Sequence, residues 1–190
     1  MTPPDYRVVD EVLVEAFSAD PLSRMLFGRR NPRPGILRIN RSTVRHKHGR
    51  GRLAEVDGQI VGALLEADSP KCEPEGLLST VDMLRAVRFQ LVSALSVFRE
   101  AARAHPTWPH RHLSVLGVLP AFQRKGVGSR MLAEFCSRAD EDGVAGYLET
   151  DTADAAHLYE RFGFRVVQRR KVKGGDFMFM WRQPATAPDA

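Results

Sequence analysis

The feature that most constrains the fold is a short apolar segment followed at once by a basic, glycine-containing loop and an amphipathic helix. Residues 113–119 are almost wholly apolar, which is typical of a β-strand buried on both faces of a sheet. Pro120 ends this strand, and residues 123–129 form a loop that carries Gly126 and Gly128. The helical stripe after the loop consists of Met131, Leu132, Phe135, Cys136 and Ala139. This order of strand, loop and helix predicts an α/β fold around a buried strand.

The elements after this stripe continue the alternation of strands and helices. The predicted elements are a strand over 144–150, a short helix over 154–161, and strands over 164–171 and 177–181. We therefore predict one mixed α/β domain over residues 1–183 and a disordered tail over residues 184–190.

The N-terminal half begins with helices and continues with a hairpin. An apolar stripe predicts a helix over residues 8–17, which Asp20-Pro21 ends. Two apolar runs, residues 51–56 and 59–66, flank Asp57-Gly58, a pair typical of a tight hairpin turn. The remaining predicted elements are a basic helix over 35–47, a loop over 67–76 and a long helix over 81–104.

Composition excludes some functions and leaves others open. The 190 residues carry 28 basic and 23 acidic side chains, and the net charge of +5 suits a nucleic acid, an acidic surface or a phosphorylated small molecule equally well. No apolar run approaches the roughly 18 residues that a membrane-spanning helix needs. The N-terminus lacks the features of a signal peptide, so we expect a cytoplasmic protein. Cys72 and Cys136 are expected to be free thiols, because two cysteines are too few for a disulfide scaffold.

The loop after the buried strand has the chemistry of an anion site. Gly126 and Gly128 let backbone N–H groups turn outward with no Cβ in the way, and the next helix adds the positive end of its dipole. Arg124 and Lys125 place full positive charges beside these groups. The spacing is neither that of a P-loop nor that of the three-glycine dinucleotide fingerprint. The sequence therefore indicates a pyrophosphate carried by another kind of molecule.

Two motifs resemble those of the GCN5-related N-acetyltransferase (GNAT) superfamily. Residues 123–128, Gln-Arg-Lys-Gly-Val-Gly, resemble the Gln/Arg-x-x-Gly-x-Gly/Ala loop of that family. Residues 158–164, Leu-Tyr-Glu-Arg-Phe-Gly-Phe, resemble its Leu-Tyr-x-x-x-Gly-Phe segment. The resemblance extends loosely over residues 5–181. It implies a mixed, mostly antiparallel sheet with a splayed central parallel strand pair flanked by helices, whose first strand is short or missing here.

The resemblance also implies an acetyl-CoA site, with acetyl-CoA as co-substrate and no metal. In the family, backbone groups of the central strand hold the pantetheine arm and the thioester carbonyl, and these positions match Leu116, Gly117 and Val118. The amides of the loop hold the pyrophosphate. The positions matching this loop are Gln123, Arg124, Lys125, Gly126, Val127, Gly128 and Ser129. A glycine at position 117 also suits a β-bulge that frees N–H groups toward a ligand.

Acyl transfer from a thioester to an amine needs a base for the ammonium proton and a proton donor for the departing thiolate. By the resemblance, Tyr159 matches the tyrosine that many members use as general acid beside the CoA sulfur. Two residues compete for the role of base. His112 lies near the offset at which members of the family place a glutamate or a histidine, and its ordinary pKa suits the task. Glu149, near the end of the next strand, is the rival, and Ser114 is a candidate for orienting a water.

The acceptor is expected to be a small primary amine, because the layout resembles small-molecule acetyltransferases of the family more than its ribosomal-protein modifiers. By the same resemblance, the amine pocket lies among the first helices and residues 67–80, with Phe17, Phe27 and Trp108 as candidate apolar walls. Thr152 departs from the family pattern, which often has an asparagine there. Its hydroxyl is a partial replacement for the amide in the contact to the cofactor. Asp151 is expected to act only as a cap or turn residue.

Three other functions stay open at this point. They are a non-catalytic acetyl-CoA-binding module, an N-acetyltransferase for proteins or peptides, and a nucleic-acid-binding protein. The last rests on a basic run whose simpler interpretation is a solvated strand face: Arg161, Arg165, Arg169, Arg170, Lys171 and Lys173. We expect a small-molecule amine as partner, no membrane or nucleic acid, and a monomer or homodimer.

Overall fold

The computed structural model describes residues 6–46, 50–69, 91–172 and 175–185. The helices are α1 (Tyr6–Phe17), α2 (Pro21–Phe27), α3 (Arg33–His46), α4 (Leu91–Ala104), α5 (Val127–Glu141) and α6 (Ala153–Glu160). The strands are β1 (Arg50–Val56), β2 (Gln59–Ser69), β3 (His110–Val118), β4 (Ala145–Thr150), β5 (Arg165–Val172) and β6 (Gly175–Arg182). A short 3-10 turn, Pro120–Phe122, follows β3. The strands form one sheet in the order β1-β2-β3-β4-β6-β5.

The sheet is antiparallel except at its centre, where β3 and β4 run parallel. These two strands pair only at residues 110–112 with residues 145–147. Beyond that point β3 continues to Val118 and β4 to Thr150 without paired positions, so a wedge opens between them. The predicted mixed, mostly antiparallel sheet with a splayed parallel pair is confirmed. In the described part of the chain, α1 is the first element and β1 is an edge strand.

Apolar side chains cover both faces of this sheet. Leu64 of β2 belongs to the cluster that also contains Phe135 of α5. Its neighbours Ala63 and Leu65 pack instead with Leu13 of α1, because successive residues of a strand point to opposite faces. The buried centre of the sheet is therefore held between α1 on one side and α5 on the other.

A bulge in β3 lies at a different residue from the predicted one. The register between β2 and β3 shifts so that Ser114 has no counterpart on β2, whereas Gly117 is regularly paired. The prediction of a bulge at Gly117 is wrong. Gly117 is small for a packing reason, since a Cβ there would approach Leu13 Cδ2 to 2.8 Å and Phe17 Cε2 to 3.1 Å.

Helix α2 is an element that the sequence analysis missed. Asp20 is its N-cap and accepts a hydrogen bond from the Ser23 N–H at 2.7 Å, and Pro21 occupies the first helical position. An Asp-Pro pair is as good a helix start as it is a helix end. The predicted hairpin is confirmed, since Asp57 and Gly58 both have positive φ, at 51° and 78°.

The other predicted helices and strands are present with ends shifted by a few residues. The loop prediction over 67–76 is wrong at residues 67–69, which extend β2. Predictions that fall outside the described residues are those on 70–80, 81–90, 186–190, Cys72 and Lys173. Cys136 is a buried free thiol, and burial raises its pKa to about 11. No helix in the described ranges has the length and apolar character to cross a membrane.

Candidate active site

A cavity of about 390 Å³ lies beside the wedge between β3 and β4. Its apolar wall residues include Phe17, Leu22, Leu26, Phe27, Ile36, Ile39, Val97, Leu113, Val115 and Leu116. Its polar wall residues are Asp20, Ser23, Asn40, Ser114, Glu149, Thr150, Asp151, Thr152 and Tyr159. None of these wall residues is basic. The cavity is of the size of small-molecule sites, which start at roughly 300 Å³.

The two candidate bases are hydrogen-bonded to each other. His112 Nε2 lies 2.8 Å from Glu149 Oε2, and the carboxylate belongs to the cavity wall. His112 is 5% exposed and lies behind the carboxylate, outside the described cavity wall. An ionised carboxylate only accepts, so Nε2 of His112 carries the proton and donates it to this hydrogen bond. The residues that the sequence analysis treated as alternatives thus form one pair, in which Glu149 borders the cavity and His112 lies behind Glu149.

A cluster of rings packs behind this pair. His112 contacts the rings of His105 and Tyr147, with centroid distances of 5.3 Å in both cases, and His110 contacts Tyr147 at 5.1 Å and Trp181 at 5.5 Å. Burial lowers the pKa of His110 to about 4, so its imidazole is neutral at neutral pH. Its Nδ1 lies 2.7 Å from the Trp108 carbonyl oxygen and donates to it. The rings hold His112 in one orientation by packing.

Tyr159 is placed on the cavity wall as the sequence analysis expected. It lies on α6, and its ring contacts Phe164 edge-on at a centroid distance of 6.1 Å. Burial raises the pKa of Tyr159 to about 12. The phenol therefore keeps its proton through the neutral range and is a hydrogen-bond donor at this position.

The basic loop has the backbone geometry of an anion site. Gly126 is the N-cap of α5 with φ of 85°, and Arg124 also has positive φ, at 59°. No side chain caps α5, so its first N–H groups are left for another acceptor. Gln123 donates from Nε2 to the Val118 carbonyl oxygen at 3.0 Å, which ties the loop to the end of β3. Lys125 lies over the Phe122 ring at 5.4 Å.

The other positions that the resemblance matched to the cofactor differ in whether they line the cavity. Leu116 lines the cavity, whereas Gly117 and Val118 pair with β2 and are outside the described wall. Val127 is 5% exposed and its side chain packs in the core, so only its backbone is available to a ligand. Thr152 lines the cavity and also caps α6, accepting from the Ala155 N–H at 3.4 Å.

Two polar wall residues, Asp151 and Asn40, were missed as site residues by the sequence analysis. Asp151 was taken for a cap or turn residue, but it lines the cavity, and burial followed by the charge of Asp20 raises its pKa. Asn40 is the other one, and it lies on the same face of α3 as Ile36 and Ile39. A polar residue within an apolar stripe is the signal that would have found Asn40. Trp108, predicted as a wall, is 73% exposed and lies outside the described wall, so that prediction is wrong.

The basic residues that motivated nucleic-acid binding lie around the edge strand β5. Arg165, Arg169, Arg170 and Lys171 are exposed on this strand, and Arg161 is exposed just after α6. Arg170 pairs with Glu100 of α4 at 3.8 Å. This is the arrangement of a solvated strand face.

Comparison with known proteins agrees with the fold. The sequence matches the profile of the Acetyltransferase (GNAT) family over residues 14–164, a range that includes both motifs and the wedge. The chain belongs to this family.

Similar proteins include both sequence relatives and solved structures. A mycothiol acetyltransferase of Brachybacterium faecium is 34% identical over 112 residues, which are 57% of this chain and 33% of that protein. The chain thus aligns with only a third of that relative's length. A Corynebacterium glutamicum structure, described as histone acetyltransferase HPA2 and related acetyltransferase, has a TM-score of 0.74 and 25% identity, covering 100% of this chain and 96% of that one. Arylalkylamine N-acetyltransferase 2 of Aedes aegypti shares the fold, with a TM-score of 0.70, 14% identity and 96% of each chain covered.

Proposed function

We propose that this chain transfers the acetyl group of acetyl-CoA to a small primary amine by direct attack of the amine on the thioester. The observation that carries the proposal is the Glu149 carboxylate. It lies on the cavity wall and is held from behind by His112 at 2.8 Å. A base fixed at the edge of a wedge that can admit a thioester is what this reaction needs.

The residues of the cavity take the following roles. Glu149 accepts a proton from the ammonium form of the acceptor, directly or through one water. The neutral nitrogen then attacks the thioester carbonyl carbon, a C–N bond forms, and the C–S bond breaks as the tetrahedral intermediate collapses. Tyr159 provides the proton for the departing sulfur and regains one from the acylated nitrogen, which loses its extra proton as the intermediate collapses. The products are the N-acetyl amine, CoA with a free thiol, and one proton, which Glu149 releases. His112 is a positioning residue, because it acts through Glu149.

The coenzyme is held in the proposal by backbone groups. The free amides at the start of α5, from Gly126 to Ser129, donate hydrogen bonds to the pyrophosphate, and Arg124 and Lys125 add charge beside it. The gap between β3 and β4 admits the pantetheine arm, and Leu116 lines the cavity at that gap. These residues fit the group because the loop is exposed and its N-terminal amides have no side-chain cap.

The charges of the cavity support an amine as acceptor. Asp20, Glu149 and Asp151 are the ionisable acids of the wall, and the described wall has no basic side chain. A cation is attracted to such a site, and an anionic acceptor is repelled. The volume of about 390 Å³ supports a small molecule.

The test is a thiol-release assay with acetyl-CoA and a panel of acceptors. The panel contains alkylamines, arylalkylamines, polyamines, aminoglycosides and short peptides with free N-termini. We expect CoA release with one of the small-amine classes, and loss of that release in Glu149→Gln. Release only with peptides would contradict the small-molecule proposal. Tight binding of acetyl-CoA with no release for any acceptor would instead identify a non-catalytic acetyl-CoA-binding module.

A further inference from the structure

A buried asparagine amide faces the cavity without a hydrogen-bond partner. Asn40 of α3 is 3% exposed and lines the cavity beside Ile36 and Ile39. Within the described residues, its Nδ2 atom has no acceptor. Buried amide N–H groups are almost always hydrogen-bonded, because a donor that has lost its water costs free energy if it gains nothing in return. The Nδ2 atom of Asn40 therefore needs an acceptor, and the described residues do not supply one.

A second polar atom of the same cavity is in the same situation. Ser114 is the bulged residue of β3, and its Oγ is buried with no hydrogen-bond partner in the described part of the chain. The bulge matters here, because an extra residue in one strand re-aims a side chain out of the regular alternation. Two independent elements, α3 and β3, thus each present one unsatisfied polar group to a cavity whose other walls are mostly apolar.

These groups define the chemistry of the acceptor more closely than charge alone. The three wall carboxylates favour a cation, and the apolar walls favour a hydrocarbon body. Nδ2 of Asn40 only donates, so it needs an oxygen with a lone pair on the ligand. We infer that the acceptor is a primary amine whose apolar body carries an ether, hydroxyl or carbonyl oxygen, and that Asn40 selects it by donating from Nδ2 to this oxygen. This inference rests on the proposed function, since it concerns the acceptor of the same reaction.

A purely structural role and a ligand-binding role for Asn40 predict opposite effects of Asn40→Leu on stability. If the Asn40 amide held the fold together, Asn40→Leu would lower the thermal midpoint, because it would break that hydrogen bond. If Nδ2 is instead a donor for a ligand, Asn40→Leu keeps the number and branching of the side-chain heavy atoms and removes an unsatisfied donor. We expect the thermal midpoint of Asn40→Leu to equal or exceed that of the wild type.

The direct test uses pairs of amines that differ by one oxygen. Each pair replaces a methylene by an ether oxygen, which accepts a hydrogen bond and cannot donate one. The pairs are methoxyethylamine and butylamine, methoxypropylamine and pentylamine, and para-methoxyphenylethylamine and para-ethylphenylethylamine. For at least one pair, we expect the wild type to favour the ether in kcat/KM by roughly 10- to 100-fold, the range of one buried hydrogen bond. We expect Asn40→Leu to abolish that preference by slowing the ether alone.

Ile36→Val is the matched control. It changes the same face of α3 and the same wall by one methylene and leaves every polar group in place. We expect it to affect both members of each pair alike.

The outcomes separate this inference from the function it rests on. Turnover of the amines without an ether preference, or an equal loss for both members in Asn40→Leu, would refute the role of Asn40 and leave the acetyltransfer proposal intact. If no amine is turned over, the acetyltransfer proposal fails, and calorimetric titration of the same pairs decides about Asn40. Tighter binding of an ether that Asn40→Leu abolishes supports the inference, and the absence of any preference contradicts it.

Discussion

Glu149 and His112 share one hydrogen bond but differ in what they face. The side chain of Glu149 is 22% exposed and borders the cavity, whereas that of His112 is 7% exposed and is surrounded by rings. A base has to reach the proton that it removes, either directly or through one water. Under the proposed function, exposure to the cavity therefore assigns the proton-accepting role to Glu149 and the holding of the carboxylate to His112.

Two variants distinguish these roles. We expect Glu149→Gln to lower kcat/KM by about 10²- to 10⁴-fold, the usual contribution of a general base, and to remove the acid limb of the pH profile. His112→Gln keeps an N–H donor near the carboxylate, so we expect a smaller loss with the acid limb still present. The measurement is kcat/KM against pH for both variants. A His112→Gln enzyme that loses the acid limb while Glu149→Gln keeps it would place the base at His112.

Tyr159 allows a test of the proton donor with little change in packing. Tyr159→Phe removes only the hydroxyl and keeps the ring against Phe164. We expect kcat to fall by about 10²-fold or more, because the thiolate then leaves without a proton. The affinity for acetyl-CoA, measured by calorimetry, is expected to stay within about twofold. A tenfold loss of affinity would require the removed hydroxyl to contribute about 1.4 kcal/mol to binding. An unchanged kcat would show that Tyr159 only packs.

At the scale of elements, the proposed pyrophosphate site depends on how α5 begins. Its N-cap is a glycine with φ of 85° and no side-chain cap, so the start of the helix is open to a ligand. The same helix is followed by Gly143, which also has positive φ, at 63°, and no atom within 4 Å of the place of its Cβ. Both glycines have positive φ and no atom within 4 Å of the place of a Cβ, and only Gly126 lies beside the basic loop.

Because Gly126 and Gly143 share this backbone feature, Gly143 provides the control for a substitution at Gly126. We expect Gly126→Ala and Gly143→Ala each to lower the free energy of unfolding by about 1 kcal/mol, because alanine disfavours positive φ. Only Gly126→Ala is expected to weaken acetyl-CoA binding, by roughly tenfold, since its strain shifts the amides of the loop. Chemical denaturation and calorimetry measure the two quantities. Equal acetyl-CoA affinities in the two variants would mean that the loop is only a turn.

The elements also show where local patterns mislead. Asp20-Pro21 was interpreted as the end of α1, and the same two residues start α2. The pair is compatible with both, and the choice depends on whether Leu22 and Leu26 find an apolar partner. They do so in the cavity wall and in the apolar cluster that contains Tyr147 and Phe179. The bulge was assigned to Gly117 because glycine is permissive. Its place at Ser114 depends on the register of β2 against β3, which is a contact between distant residues.

At the scale of the whole molecule, buried charges and histidines bind the sheet to its helices. Glu66 of β2 has a fully buried side chain and accepts from Arg138 of α5 at 2.9 Å. Arg182 of β6 forms two hydrogen bonds to Asp140 of α5, and this pairing lowers the pKa of Asp140. His110, at the point where β3 and β4 still pair, is buried in its neutral form.

His110 makes stability depend on pH in a defined direction. Its pKa is about 4 in the fold against 6.5 in the unfolded chain, so between these values the unfolded chain binds more protons. We expect the free energy of unfolding to fall as pH is lowered from about 6.5 to about 4, by at most about 3 kcal/mol at 1.36 kcal/mol per pKa unit. His110→Gln keeps a donor for the Trp108 carbonyl and does not titrate, so its denaturation midpoint is expected to change less over this range. An identical pH slope in the two proteins would contradict the assignment.

The sequence by itself determined the features that depend on neighbouring residues. The hairpin at Asp57-Gly58, the glycine-containing loop before α5 and the helix that carries Tyr159 follow from local backbone preferences and from short spacing, and the structure has all three at the predicted positions. The tertiary structure alone decided which of His112 and Glu149 borders the cavity, and it revealed Asn40 and Asp151 as wall residues. These features depend on how far β3 and β4 stay paired and on the register of β2 against β3, and such contacts join residues that are distant in the chain.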